Sequence, residues 1–337
     1  MDVTLIVEAL DPSKGGIPRY NYEISKIKEI KNAIDFSKTL KNENLLDKYL
    51  NKKFRRKQIL EKNIDKLGKV LHFTQPEIMF KSKALDGRKI VLTVHDLAVF
   101  DTMKVKNPYS VLENTLLKKH FKSAINRADT VMVNSTQTRD ELIEILKVNP
   151  SKIVIDSLGI EEKFKPLDVK KEGVIGYFGG FNRRKRVEKL IEDFIASALS
   201  NKLKLVIYGN NEDYPLLKKK YEKFGNIILK DKIPEEEIVK TINGFDYFVY
   251  PTSYEGFGLP LLECIACGIP SFLYKDAVLP EEVRKYAVEI DKIDDIIKTD
   301  YKDLRRDFLK RSEEVKKEFL WDKVRAILLE EYKRLSE

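Results

Sequence analysis

Two glutamates eight positions apart, Glu255 and Glu263, flank a Gly256-Phe257-Gly258 loop in the run Tyr254-Glu255-Gly256-Phe257-Gly258-Leu259-Pro260-Leu261-Leu262-Glu263. A glycine loop that opens a helix turns several backbone N–H groups outward, and those groups seat phosphate. Carboxylates beside an anion seat make sense when the ligand also carries hydroxyl groups, and a sugar nucleotide carries both. A second run, Gly179-Gly180-Phe181-Asn182-Arg183-Arg184-Lys185-Arg186, places four cations in succession behind two glycines. Arginine offers a fixed fork of donors and lysine a point charge, two ways to meet a departing diphosphate. An exposed basic loop is the plainer alternative. No two aspartates lie two apart, so no Asp-x-Asp metal pair is written here, and the cations and backbone dipoles are left to carry the charge.

Each group needs an element to hold it. Asp246 to Pro251 reads as a buried strand ended by proline, Pro260 suits the first helical position, and Gly268 suits the stop. Strand, glycine loop and short helix follow in that order. Val174–Phe178 is the strand that delivers the cations. In the first half, Gly15-Gly16-Ile17 follows a strand over Thr4–Leu10 and lets backbone approach a ligand, although an ordinary tight turn explains it almost as well. It is not a G-x-G-x-x-G fingerprint, which counts against a nicotinamide enzyme. His95-Asp96 follows the apolar strand Ile90–Val94, at the strand end where α/β sheets hold ligand groups. Asn134-Ser135-Thr136 ends another strand, where a helix N-cap competes with an acceptor-lining role.

These residues resemble a known family. Glu255, seven residues and Glu263, within Ser-Tyr-Glu-Gly-Phe-Gly-Leu-Pro, resembles the signature of retaining glycosyltransferases of the two-Rossmann-domain type, family 4. Cys264 to Pro270 and Leu279-Pro280-Glu281 fit the same pattern. The resemblance implies a GT-B fold, with parallel sheets facing across a cleft and a last helix crossing back to the first domain. It implies that Glu263 accepts hydrogen bonds from ribose and that Glu255 lies near the donor sugar and phosphate. Backbone amides at Phe257, Gly258 and Leu259 would hold the transferring group. The family's Gly-x-x-x-x-Arg-Lys segment puts its lysine on Lys185. Its arginine falls on Arg184 or Arg183, because Gly180 stands where many members place that arginine. Gly15 and Gly16 would face the diphosphate, and His95 the donor sugar. The implied route lets the departing phosphate oxygen take the acceptor's proton, with no resident cofactor or metal. A sugar-nucleotide epimerase, a phosphorylase of the same fold and a non-catalytic sugar-nucleotide-binding protein are the rivals. Neither the base, the sugar nor the acceptor (glycan, lipid or small molecule) can be read from these motifs, and GDP-mannose and UDP-glucose donors both fit.

Composition sets the frame. A chain of 337 residues makes about two domains, and 42% hydrophobic with 35% charged residues indicates a globular protein. Alternating strands and helices point to α/β domains at 1–165 and 166–318, with a terminal helix over 319–337 that carries Trp321 near its start. No apolar run is long enough to cross a membrane and the start lacks a basic leader, so a cytoplasmic setting is expected. Cys264 and Cys267 form a C-x-x-C pair already enclosed by the ligand motif, so buried structural thiols are expected. The net charge of +9 lies wholly in residues 1–170, with 32 basic and 23 acidic side chains there. Much of it sits in Lys52-Lys53-Phe54-Arg55-Arg56-Lys57, on a helix expected over about Asn44 to Asp65. Either this is a solvated face, or Lys52, Lys53, Arg55, Arg56 and Lys57 touch anionic lipid or a phosphate-bearing acceptor. The second reading would make the protein peripheral on the inner membrane face. A nucleic-acid role lacks interleaved aromatics and a motif.

Overall fold

The structure, a computed structural model, describes residues 1–38, 47–100, 111–209 and 214–337, and their side chains except at 47–53, 99 and 111–114. In chain order it begins with β1 (Val3–Val7), α1 (Gly16–Ile24), β2 (Ile30–Asp35), α2 (Asp47–Lys62), β3 (Val70–Phe73), β4 (Lys89–Val94), α3 (Val111–Arg127), β5 (Thr130–Val133), α4 (Thr136–Leu146) and β6 (Ile153–Ile155). It continues with β7 (Val174–Phe178), α5 (Val187–Ala196), β8 (Lys204–Tyr208), α6 (Tyr214–Tyr221), β9 (Ile227–Lys230), α7 (Ile238–Asn243), β10 (Tyr247–Tyr250) and α8 (Leu259–Ala266). The last elements are β11 (Ser271–Tyr274), α9 (Glu281–Arg284), β12 (Val288–Ile290), α10 (Tyr301–Glu318) and α11 (Trp321–Ser336).

The described residues separate into two compact units, one of 1–38, 47–100, 111–159 and 321–337, the other of 160–209 and 214–320. Each has one six-stranded parallel sheet, ordered β2-β1-β3-β4-β5-β6 in the first and β12-β11-β10-β7-β8-β9 in the second. The central strands are short apolar runs, Val-Thr-Leu-Ile-Val in β1 and Tyr-Phe-Val-Tyr in β10, buried along their whole length. That is the pattern of strands covered by helices on both faces. Strand order reverses between β1 and β3 in the first sheet and between β7 and β10 in the second. In open α/β sheets ligands gather at such a switch, outside the strands' C-terminal ends. The loops after β7 and β10 are the two that carry the cation run and the glutamate motif.

Two strands carry no clear sequence signal. β2, Ile-Lys-Asn-Ala-Ile-Asp, is a partly exposed edge strand that follows α1, which ends at Ile24. β12 is three residues long and forms the sheet edge outside β11. Edge strands need no apolar run, so periodicity does not announce them. Likewise the terminal helix, expected from 319, begins at Trp321, just after α10 closes at Glu318.

The terminal helix α11 belongs to the first unit. Leu328 and Tyr332 are fully buried, each side chain contributing about 1.5–3 kcal/mol. The Tyr332 hydroxyl shares a hydrogen bond of 2.6 Å with His72 Nδ1 on β3, and Arg325 meets Glu23 at 3.0 Å. A parallel bridge joins Ile160 to Leu320 in the second unit, and a Cβ on Gly159 would lie 2.5 Å from the Trp321 nitrogen in the first. The unit boundary therefore falls at 159/160, with both chain passages pinned side by side.

Candidate active site

Adjacent placement of β7 and β10 brings Lys185 and Arg184 onto Glu255. Lys185 Nζ donates to Glu255 Oε1 at 2.5 Å, and Arg184 Nη1 lies 2.7 Å from Oε2. Thr252 Oγ1 donates to the same Oε1 at 2.7 Å, and Lys185 also donates to the Tyr250 hydroxyl at 2.7 Å. Glu255 and Lys185 are only 5% and 7% exposed, which makes this a buried ion pair with a second cation at its edge. Burial by itself raises the Glu255 pKa, but the Lys185 and Arg184 charges and the two hydrogen bonds outweigh it and hold it at about 2. Burial and the Glu255 charge push the Tyr250 and Tyr177 hydroxyls well up, so both stay neutral donors.

The backbone around this cluster is fixed independently. Arg184 Nη1 donates to the Tyr254 carbonyl at 2.8 Å, and the Ser253 N–H donates to the Arg184 carbonyl at 2.7 Å. Glu255 N–H donates to Val278 O and Val278 N–H to Ser253 O, both at 2.9 Å. Arg186 adopts a left-handed backbone with φ 47° and donates to the Pro251 and Thr252 carbonyls and to both Asp276 oxygens. It therefore positions the glutamate loop, a task its place in a basic run did not distinguish from ligand binding. Asp276 carried no signal at all in the sequence. Arg183 is exposed, and the structure brings Arg184, not Arg183, onto Glu255.

Gly258 starts α8 with φ 106°, a left-handed region that favours glycine, and no side chain caps the helix. Pro260 occupies the second helical position and has no N–H to leave unpaired. The first N–H groups of a helix have no intrahelical acceptor, which applies at this end to Gly258 and Leu259. Phe257 is buried edge-on against Phe319, 5.7 Å between centroids. Glu263, 4% exposed, lies in the second turn of α8 beside Cys264 and Cys267. Both cysteines are free, buried thiols whose pKa is pushed up by burial first and by charged neighbours second.

The first unit supplies the remaining expected residues. Gly15 is the N-cap of α1 at φ 126°, and a Cβ there would meet nothing within 4 Å, so backbone conformation and not space demands glycine. Gly16 is exposed as the first residue of α1. His95 follows β4, with its ring 5.0 Å from Tyr20 in an edge arrangement. Burial lowers its pKa to about 4 against an opposing backbone hydrogen bond at Thr74, and its Nε2 finds no partner among the described residues. His95 is thus a neutral ring near pH 7. Deeper in, Thr93 joins Tyr20 at 3.1 Å and His72 at 2.7 Å. Asp156, 2% exposed with neither oxygen partnered among the described residues, has its pKa raised well up by burial. Ser135 caps α4 through the Thr138 N–H at 3.1 Å, a structural task.

One expectation is corrected. Arg56 does not join a basic surface, since it is 9% exposed, meets Glu8 at 2.5 Å and packs over Phe36. Helical spacing turns it inward while Lys57 remains half-exposed. The side chains of Lys52 and Lys53, and the expected helix start at 44–46, lie outside the described residues. Among the described residues no helix is long and apolar enough to cross a membrane.

Two parallel-sheet α/β units, with a terminal helix returned to the first, define a GT-B protein of the Rossmann-like class. Residues 159–299 match the model for glycosyl transferases group 1, and residues 17–163 match that for glycosyltransferase family 4. The chain belongs to this glycosyltransferase family. It is similar to the O-antigen chain mannosyltransferase B of Escherichia coli, 25% identical over 213 residues, 58% of this chain and 55% of that one. It is also similar to the N-acetyl-alpha-D-glucosaminyl L-malate synthase of Bacillus anthracis, 21% identical over 64% of this chain and 58% of the relative. The chain thus spans little more than half the length of these curated relatives. Among solved structures, a sucrose-phosphate synthase from Thermosynechococcus elongatus has a TM-score of 0.80 at 17% identity, covering 99% of this chain and 98% of that one. Anabaena HepE, in complex with UDP, has a TM-score of 0.73 at 14% identity, covering 99% of this chain and all of its own.

Proposed function

We propose that this chain is a retaining, metal-independent hexosyltransferase, moving a hexose from a nucleotide-diphosphate sugar to a glycan, lipid or small-molecule acceptor. The observation that carries the reading is the pair of cations, Lys185 and Arg184, held 2.5 and 2.7 Å from Glu255, in the loop that leads into α8. As the glycosidic bond breaks, negative charge grows on the diphosphate, and those cations with the N–H groups of Phe257, Gly258 and Leu259 are placed to meet it. Glu263 accepts from the ribose hydroxyls. Within the first unit, neutral His95 and the backbone at Gly15 and Gly16 are the groups assigned to substrate binding on this reading. The departing phosphate oxygen takes the acceptor's proton, so no resident base or cofactor is invoked. The mannosyltransferase relative and the UDP-bound neighbour support GDP-mannose and UDP-glucose as the donors to try first. A cytoplasmic setting accompanies a nucleotide-sugar donor.

The test is incubation with a panel of sugar nucleotides while free nucleoside diphosphate is followed. Slow release that a Lys185 variant abolishes supports transfer. Tight binding without turnover, even with extracts as an acceptor source, favours a binding protein, and interconversion of the donor sugar favours an epimerase. Calorimetry on Glu263→Ala should show nucleotide binding weakened by about 1.5–3 kcal/mol, as for a lost charged acceptor. Unchanged affinity removes Glu263 from the ribose.

A further inference from the structure

Away from the strand ends that hold the candidate site, the first unit carries a groove of about 890 Å³ between α2 and α3. Its floor is the segment from Met79 to Asp86, which connects β3 to β4. One wall is a helical stripe of α3 running through Leu116, Lys119, Ser123 and Arg127, spaced three or four residues apart. Phe54 and Lys57, three apart on α2, form the other wall. The lining holds five cations, Lys57, Lys81, Lys83, Lys119 and Arg127, against the single acid Asp86. Lys81, Lys83 and Lys119 are exposed and make no ion pair among the described residues.

The apolar residues of this groove are placed oddly for a purely electrostatic surface. Phe54 is 59% exposed and Leu116 57%, more than any other described large apolar side chain except Leu216. Each lines the groove together with lysines and is more than half exposed. Exposed apolar tips between unpaired lysines match an interface that is greasy below and anionic at its surface. A nucleic acid or acidic protein would use the lysines and leave Phe54 and Leu116 in water.

We propose that this groove is a docking surface for an anionic lipid bilayer. Phe54 and Leu116 enter the headgroup boundary, and Lys81, Lys83 and Lys119 contact lipid phosphates. The inference does not depend on glycosyl transfer. It also replaces the run at 52–57 with a surface drawn from three segments, because Arg56 is taken by Glu8.

Cosedimentation of the full chain with phosphatidylcholine vesicles, with and without 30% phosphatidylglycerol, tests it. The chain should bind the anionic vesicles at low salt and release as ionic strength rises, with little binding to the neutral ones. Each lysine near such a surface contributes roughly a fivefold factor, so Lys81→Gln/Lys83→Gln/Lys119→Gln should weaken partition about 100-fold. Phe54→Ser/Leu116→Ser should weaken it about tenfold or more with charge unchanged. All five positions are exposed, and circular dichroism should show the variants folded. The proposal is overturned if the wild-type chain stays in solution, or if the lysine variant binds as the wild type does. It is equally overturned if the apolar variant loses nothing, or if a short RNA is bound while vesicles are not.

Discussion

Replacing Glu255 with glutamine leaves a side chain of the same shape that can never carry charge, the nearest mimic of the protonated acid. The gap between about 2 and the ordinary 4.5, at 1.36 kcal/mol per pH unit, corresponds to about 3.4 kcal/mol. The folded pKa is depressed, so this stability is present above about 4.5 and is lost as pH falls through about 2. Glu255→Gln should therefore cost the second unit about 3 kcal/mol at pH 7, but only about 1.4 kcal/mol at pH 3. Native-state hydrogen exchange reads this directly, with rates normalised to the intrinsic rate at each pH. Segments 174–190 and 247–263 should exchange roughly 100-fold faster in the variant at pH 7, and segments 70–73 and 89–94 in the first unit should be unchanged. A loss below about 1 kcal/mol at pH 7, or an equal loss at both pH values, would mean that Glu255 is not held by its cations.

Lys185→Met keeps the apolar stem but removes the charge, and turnover should fall by about 100-fold or more in steady-state assays. Because Lys185 is buried on Glu255, its removal should also destabilise the unit by about 3 kcal/mol, measurable by urea titration, contrary to a surface-loop expectation. Asp156 has a raised pKa, so the folded state retains a proton that the unfolded chain releases above about 4. Asp156→Asn should accordingly be near neutral at pH 4 and increasingly stabilising toward pH 8, and a thermal-melt difference that shrinks with rising pH would refute it. Proton NMR should find the His95 ring titrating near 4, with no ionisation from it between pH 5 and 8.

The central strands were legible because a strand buried on both faces must be apolar along its length, and Val174–Phe178 matches residue for residue. The glutamate motif was legible for a related reason, since a glycine with positive φ before a proline-bearing helix leaves a mark in the residue types. What escaped was fixed by partners distant in sequence. Arg56 looks like one more cation in a basic run until Glu8, 48 positions away, is brought against it. Arg186 and Asp276, 90 positions apart, meet only because β10 lies beside both β7 and β11. The edge strands β2 and β12 owe their state to hydrogen bonding with a neighbour, which no local periodicity encodes.

Because Trp321–Ser336 belongs to the first unit while the whole second unit precedes it in sequence, the order of completion during synthesis is inverted. Domains emerging from the ribosome ordinarily finish from the N-terminus onward. Here the earlier unit waits, with the seats for Leu328 and Tyr332 uncovered, until translation has passed the later one. Until Trp321–Ser336 has emerged, the first unit stays unfinished even when every residue of the second has already been made.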